Sequence, residues 1–163
     1  AYKLRNQMRI LYLFLVMIML SSCGYQLRGS IYADDLENII IVSNGHTSIS
    51  KMLSQKLGSS IIPQSQVNDS YPAVKINSIS SQKRQLSVNS SGRVDEYEII
   101  KSLDYEIIIS ENDSVKGTLK ASGSYDFNES RMQVTSEQEL ITNTAIDKVL
   151  TRKLIQKLRY NLK

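Results

Sequence analysis

The 163-residue chain has no Trp, one Cys, one His, two Pro and two Phe. A single Cys excludes an internal disulfide and a Cys-rich metal centre. A single His excludes a His-x-x-x-His pair. His46 sits in the Gly45-His46-Thr47 turn with no thiol or hydroxyl nucleophile and acid arranged around it, so it reads as a solvated loop residue. A glycine-rich phosphate loop is missing as well. Asp34-Asp35 and Asp95-Glu96 read as a wet loop and a wet strand end rather than acid pairs. The expectation is a protein that is not an enzyme and holds no metal or cofactor.

An excess of positive charge is also lacking, although the formal net charge of +4 hides this. Lys3, Arg5 and Arg9 cluster at the start, and the other 17 Lys plus Arg face 16 Asp plus Glu. A nucleic-acid binder needs a basic face in its folded part, so that class is discounted.

Long hydrophobic runs are limited to Ile10–Leu20, 11 residues. As a helix this run spans about 16 Å, roughly half of a hydrocarbon core. A positive leader, a short apolar centre and the small residues Ser21 and Ser22 form a secretory signal. Cys23 follows directly, and Leu20-Ser21-Ser22-Cys23 resembles the lipobox cut by lipoprotein signal peptidase. The expectation is a signal peptide over residues 1–22 and one domain over 23–163, with a covalent lipid on Cys23. Two or three acyl chains hold a protein to a membrane stably, where one does not. By the same resemblance, Gly24 in place of Asp is an outer-membrane address.

Within 23–163 the periodicity predicts elements in the order β-α-β-β-β-α. Glu37 to Ser43, with Ile39-Ile40-Ile41-Val42, is a short strand closed by Ser43-Asn44-Gly45. A helix follows from Thr47 to Leu57, capped by Thr47 or Ser48 and ended by Gly58. Pro63 to Pro72 is a polar connection. Ala73 to Val88 alternates with a phase slip at Ile79, and Asn89-Ser90-Ser91-Gly92 is a hairpin turn. From Glu96 to Ser110 the residues Tyr97, Ile99, Leu103, Tyr105, Ile107 and Ile109 share a face, with Lys101 the exception. After Glu111-Asn112-Asp113, a strand carries Val115, Leu119, Ala121, Tyr125 and Phe127. Gly117 and Gly123 thin it where a neighbour sits close. Ser136-x-x-Glu139 matches a capping box and predicts the last helix from Ser136. Ile146, Leu150, Leu154, Leu158 and Leu162 form one apolar row, with Ile141, Ala145 and Val149 as a second beside it. The economical fold is α+β: a four-stranded, mostly antiparallel mixed sheet with two helices on one face. The basic last helix could instead lie on a membrane, but the sheet needs a cover and this helix is the best one available.

Three segments carry a family resemblance. Cys23-Gly24-Tyr25-Gln26-Leu27-Arg28-Gly29 resembles the start of the mature LptE lipoproteins of Gram-negative outer membranes. Gly92-Arg93-Val94-Asp95-Glu96-Tyr97 resembles that family's Gly-x-x-x-Glu-Tyr segment, and Ser124-Tyr125-Asp126-Phe127-Asn128 is a looser match. The resemblance implies a lipid-anchored outer-membrane protein that plugs and helps assemble the LptD β-barrel. It also implies binding of lipopolysaccharide and its delivery to the outer leaflet. A barrel lumen is polar, as a plug with polar faces requires. Lipopolysaccharide phosphates are anionic, so Lys83, Arg84, Arg93, Lys120 and Arg131 are the candidate contacts. The rival reading is a lipoprotein chaperone or pilotin serving another outer-membrane assembly.

Overall fold

A computed structural model describes residues 36, 39–45, 47–66 and 72–162. Cys23, His46 and Asp34-Asp35 lie outside the described residues. The elements are β1 (Ile40–Ser43), α1 (Ser48–Leu57), β2 (Ile61–Ile62), β3 (Ala73–Val88), β4 (Val94–Ser110), β5 (Asp113–Asp126) and α2 (Met132–Asn161). Short 3-10 turns at Gln64–Gln66 and Glu129–Arg131 precede β3 and α2.

The strands form one mixed sheet in the order β2-β1-β3-β4-β5. β1 runs parallel to both β2 and β3, and β3, β4 and β5 form an antiparallel meander. The α+β architecture and the helices agree with expectation, while the sheet has five strands rather than four. The extra strand is Ile61–Ile62, pairing with Ile41 and Val42 at the edge. Two residues ended by Pro63 are too few to show a period, so no pattern announces them.

Local chemistry explains the first helix. Thr47 caps α1 by accepting from the Ser50 amide, and Gly58 ends it in the left-handed region at φ 64°. The phase slip in β3 is a bulge between Ile76 and Ser78, which returns Ile79 to the face opposite Leu103.

The start of α2 differs from expectation by one turn. It begins at Met132, and no capping box forms. Ser136 lies inside the helix and donates to the Met132 carbonyl at 2.9 Å. Asn128 and Thr135 organise the entry instead: Asn128 Oδ1 accepts from the Ser130 amide, and the buried Thr135 hydroxyl accepts from the Asn128 amide. This turn extends the helix backward and turns Glu139 toward the sheet.

Both helices share one core with the sheet, built from Ile49, Leu53, Val74, Leu103, Ile107, Leu150, Leu154 and Leu158 among others. Gly123 lets α2 come close, since a Cβ there would lie 3.0 Å from Thr142 Cγ2. Gly117 leaves room for the Tyr105 ring. The second expected row on α2 does not reach this core. Ile141 is 59% exposed and Ala145 is exposed, with Val149 only half-buried. One helix face meets the sheet, and that row points the other way.

Candidate functional site

The sheet's uncovered face is polar and satisfied within itself. Asp104 on β4 accepts from Ser78 on β3 and Thr118 on β5, each at 2.6 Å. Glu98 accepts from Arg84 Nε at 2.6 Å, Glu106 pairs with Lys116 at 3.4 Å, and Glu96 accepts from Ser87. These bonds run across the strands and tie each acid to a donor in register. The Arg84 guanidinium and then Ser122 hold Glu98 below the ordinary carboxylate range, and Ser78 and Thr118 do the same for Asp104. Such a face carries charge without a large net sign.

The helix face near the β3–β4 hairpin holds a second, aromatic cluster. Tyr97 and Tyr125 are directly paired across β4 and β5 with ring centroids 6.1 Å apart. Phe127 meets Tyr97 edge-on at 5.0 Å. Lys83 reaches over both tyrosine rings, 4.6 Å and 5.2 Å from their centroids, and bonds Glu139 of α2 at 2.8 Å. The Tyr125 hydroxyl donates to the same Glu139 oxygen at 2.8 Å. Burial works to lower the Lys83 pKa, but the bonds to Glu139 and Tyr125 outweigh it and raise the pKa above 10.5. Glu139 falls below its ordinary 4.5 because Lys83 and then Tyr125 bind the carboxylate.

That last shift has a testable sign. A depressed carboxyl stabilises the fold fully above its unfolded value and ceases to as pH falls through its folded value. The melting temperature is therefore expected to drop as acid is added below about pH 4.5, and Glu139→Gln to flatten part of that drop. Lys83 and Glu139 are each over a third exposed, so solvent screening keeps the effect modest. Thermal melts of both proteins across the acid range provide the check.

The five basic candidates are distributed rather than gathered. Lys83 faces the helices, while its neighbour Arg84 faces the open side, as strand alternation requires. Arg93 sits past the hairpin and pairs with Glu129 at 3.4 Å, two residues before Arg131. A bond from the Phe127 amide to the Asp95 carbonyl fastens the same end. Arg93 and Arg131 therefore belong to one end of the sheet, and Arg84, opposite Glu98 on the open face, stands about 13 Å along the strands from that end at ~3.3 Å per residue. Lys120 lies on the open face opposite Ser102, about 13 Å further along the strands at ~3.3 Å per residue. Among the described residues no group of three His, Cys, Asp or Glu could hold a metal.

Two features escaped the sequence reading. One is the Tyr97-Tyr125-Phe127-Lys83-Glu139 cluster, whose only local signal is three aromatics on one face. The other is a buried ion pair between Lys101 and Asp147 at 2.7 Å, with Ser48 donating to the same carboxylate.

A profile of the family described as LptE, lipopolysaccharide-assembly, matches residues 36–162. The chain belongs to the LptE family. LptE proteins are assembly lipoproteins and not enzymes, so the chain is a lipoprotein of lipopolysaccharide transport and outer-membrane assembly. Solved structures share the fold at low identity. The rare lipoprotein B from Shewanella oneidensis has a TM-score of 0.65 at 15% identity, covering 76% of this chain and 96% of that one. An uncharacterized lipoprotein B from Nitrosomonas europaea has a TM-score of 0.63 at 18% identity, covering 83% and 90%. A minor lipoprotein from Acinetobacter baumannii has a TM-score of 0.58 at 13% identity, covering 76% and 92%. No curated protein is similar enough in sequence to count as a match.

Proposed function

We propose that this chain is an outer-membrane lipoprotein that plugs and helps assemble an LptD-type β-barrel, binds lipopolysaccharide and promotes its insertion into the outer leaflet. Residues 1–22 are its export signal, residues 23–163 its single mature domain, and Cys23 bears the lipid. Family membership over residues 36–162 carries the reading. The polar face supports it. A plug in an aqueous lumen must show polar surface while keeping its core internal, and the Asp104, Glu98 and Glu106 networks meet that need. The lipid tethers the domain at the membrane, leaving the sheet free to dock.

The deciding experiment extracts outer membranes from cells making the tagged, full-length chain. A large β-barrel in equal amount is expected in the eluate, together with a diacylated Cys23 by mass spectrometry. Recovery of a different outer-membrane assembly would move the assignment to a pilotin.

We assign lipopolysaccharide phosphates to the hairpin half of the sheet, where Arg93 and Arg131 at the end and Arg84 on the open face offer guanidinium groups that can grip phosphate oxygens in pairs. Lys83, held by Glu139, and Lys120 are outer contributors. Arg84→Glu combined with Arg93→Glu is expected to weaken lipopolysaccharide binding roughly tenfold or more, since charge-assisted bonds to phosphate are lost and repulsion is added. Binding measured on the purified, folded variant is the check. An unchanged affinity removes both residues from the site.

A further inference from the structure

The outer face of α2 has no role in the reading above, and its composition is unusual for a solvated helix surface. Ile141, Ala145, Lys148, Arg152, Gln156 and Tyr160 follow one another at spacings of three or four and so form one stripe along the helix. All six are exposed, Tyr160 by 82% and Ile141 by 59%, and Leu140 beside the stripe is 67% exposed. The stripe is apolar at its start, basic in its middle and aromatic at its end.

Charge along it has one sign. No Asp or Glu follows Asp147, and Asp147 itself is turned inward to Lys101. Among the described residues no carboxylate pairs with Lys148, Arg152, Lys153 or Lys157. Lys153 donates instead to the Lys120 carbonyl, which leaves its charge uncompensated. Lys153, Lys157 and Tyr160 line one shallow hollow together with Leu119 of β5.

Exposed Leu and Ile, unpaired Lys and Arg, and a terminal Tyr on one face are what a helix lying in a lipid interface presents. The apolar side chains enter the headgroup boundary, Lys and Arg stems lie along it with their charges outward, and Tyr sits at its level. Over Ile141 to Tyr160 the stripe is about 28 Å long at ~1.5 Å per residue, enough to lie across several headgroups. Among the described residues no helix is long and apolar enough to cross a membrane.

We propose that, before the domain enters its barrel, the outer face of α2 seats on an anionic phospholipid surface, giving the protein a second membrane contact besides the lipid at Cys23. The contact fixes the orientation of the domain on the membrane. Neither the barrel partner nor the hairpin arginines are needed for it.

The test uses the full chain with Tyr160→Trp, which supplies the only Trp in the protein. The chain is placed on vesicles of brominated phosphatidylcholine, with or without phosphatidylglycerol. Emission is expected to shift to the blue and be quenched on vesicles with phosphatidylglycerol. The change should be roughly fivefold smaller on phosphatidylcholine alone, because attraction to anionic lipid is additive over basic residues. Lys148→Glu with Arg152→Glu should reduce it as far. Lys148→Gln with Arg152→Gln should reduce it too, and decides the matter if the Glu variant fails to fold. Equal quenching on both kinds of vesicle, no quenching on either, or a response to inorganic phosphate without vesicles overturns the proposal.

Discussion

Lys101→Met is expected to destabilise the protein by about 3–5 kcal/mol, the cost of stranding a buried charge by removing its partner. Lys101 lies on the helix face of β4 between Ile99 and Leu103, both of them buried. Its side chain is 12% exposed and that of Asp147 8%, and the two are 2.7 Å apart. Ser48 at the start of α1 donates to the other carboxylate oxygen, so three elements meet at one acid. Without Lys101 only that hydroxyl remains to hold the Asp147 charge. The double change Lys101→Met with Asp147→Leu should recover much of the loss, since an apolar pair strands no charge. Urea unfolding of the three proteins measures this. A single variant as stable as the parent would mean that water reaches Asp147 and the pair is not buried in solution.

Leu154→Ala is expected to cost about 2–5 kcal/mol, from lost burial and from the cavity left behind. Leu154 is fully buried on α2, in the core where both helices meet the sheet. Leu150 and Leu158, one turn away on either side, are fully buried too and sit in the same row. A tightly held helix row collapses poorly around a gap, which places the cost toward the upper part of that range. Leu140→Ala on the same helix should change stability little, because Leu140 is 67% exposed. Chemical denaturation of the two variants side by side makes the comparison. Equal losses would mean that the exposed side of α2 is covered in the protein as tested.

Much of this architecture was legible in the chain. The period of two in β4, the Thr47 cap, the Gly58 stop and the Asn89–Gly92 turn each report a local preference that the fold obeys. The bulge at Ile76 was visible as a phase slip because alternation has only two states. The last helix starts one turn before Ser136 because Ser and Glu three apart cap a helix only if the chain turns there. Asn128 and Thr135 turn it earlier. The Ile141, Ala145 and Val149 row shows in the sequence as a second apolar face, but an apolar residue on a helix marks a face without saying what lies against it. The basic candidates came from chemistry alone, and their division between two faces followed only from register.

By itself the sequence determined the kinds of element, their order, most of their ends and the side of each long strand that is buried. It also carried the family signature. Only the tertiary structure decided that Lys101 finds Asp147 46 positions away and that Lys83 finds Glu139 56 positions away. The same holds for the pairing of Ile61–Ile62 beside β1. Periodicity is a short-range property, set by how a backbone turns from one residue to the next. Which distant side chains meet depends on strand register and on where the helix comes to rest, and those are settled by the packing of the whole core at once.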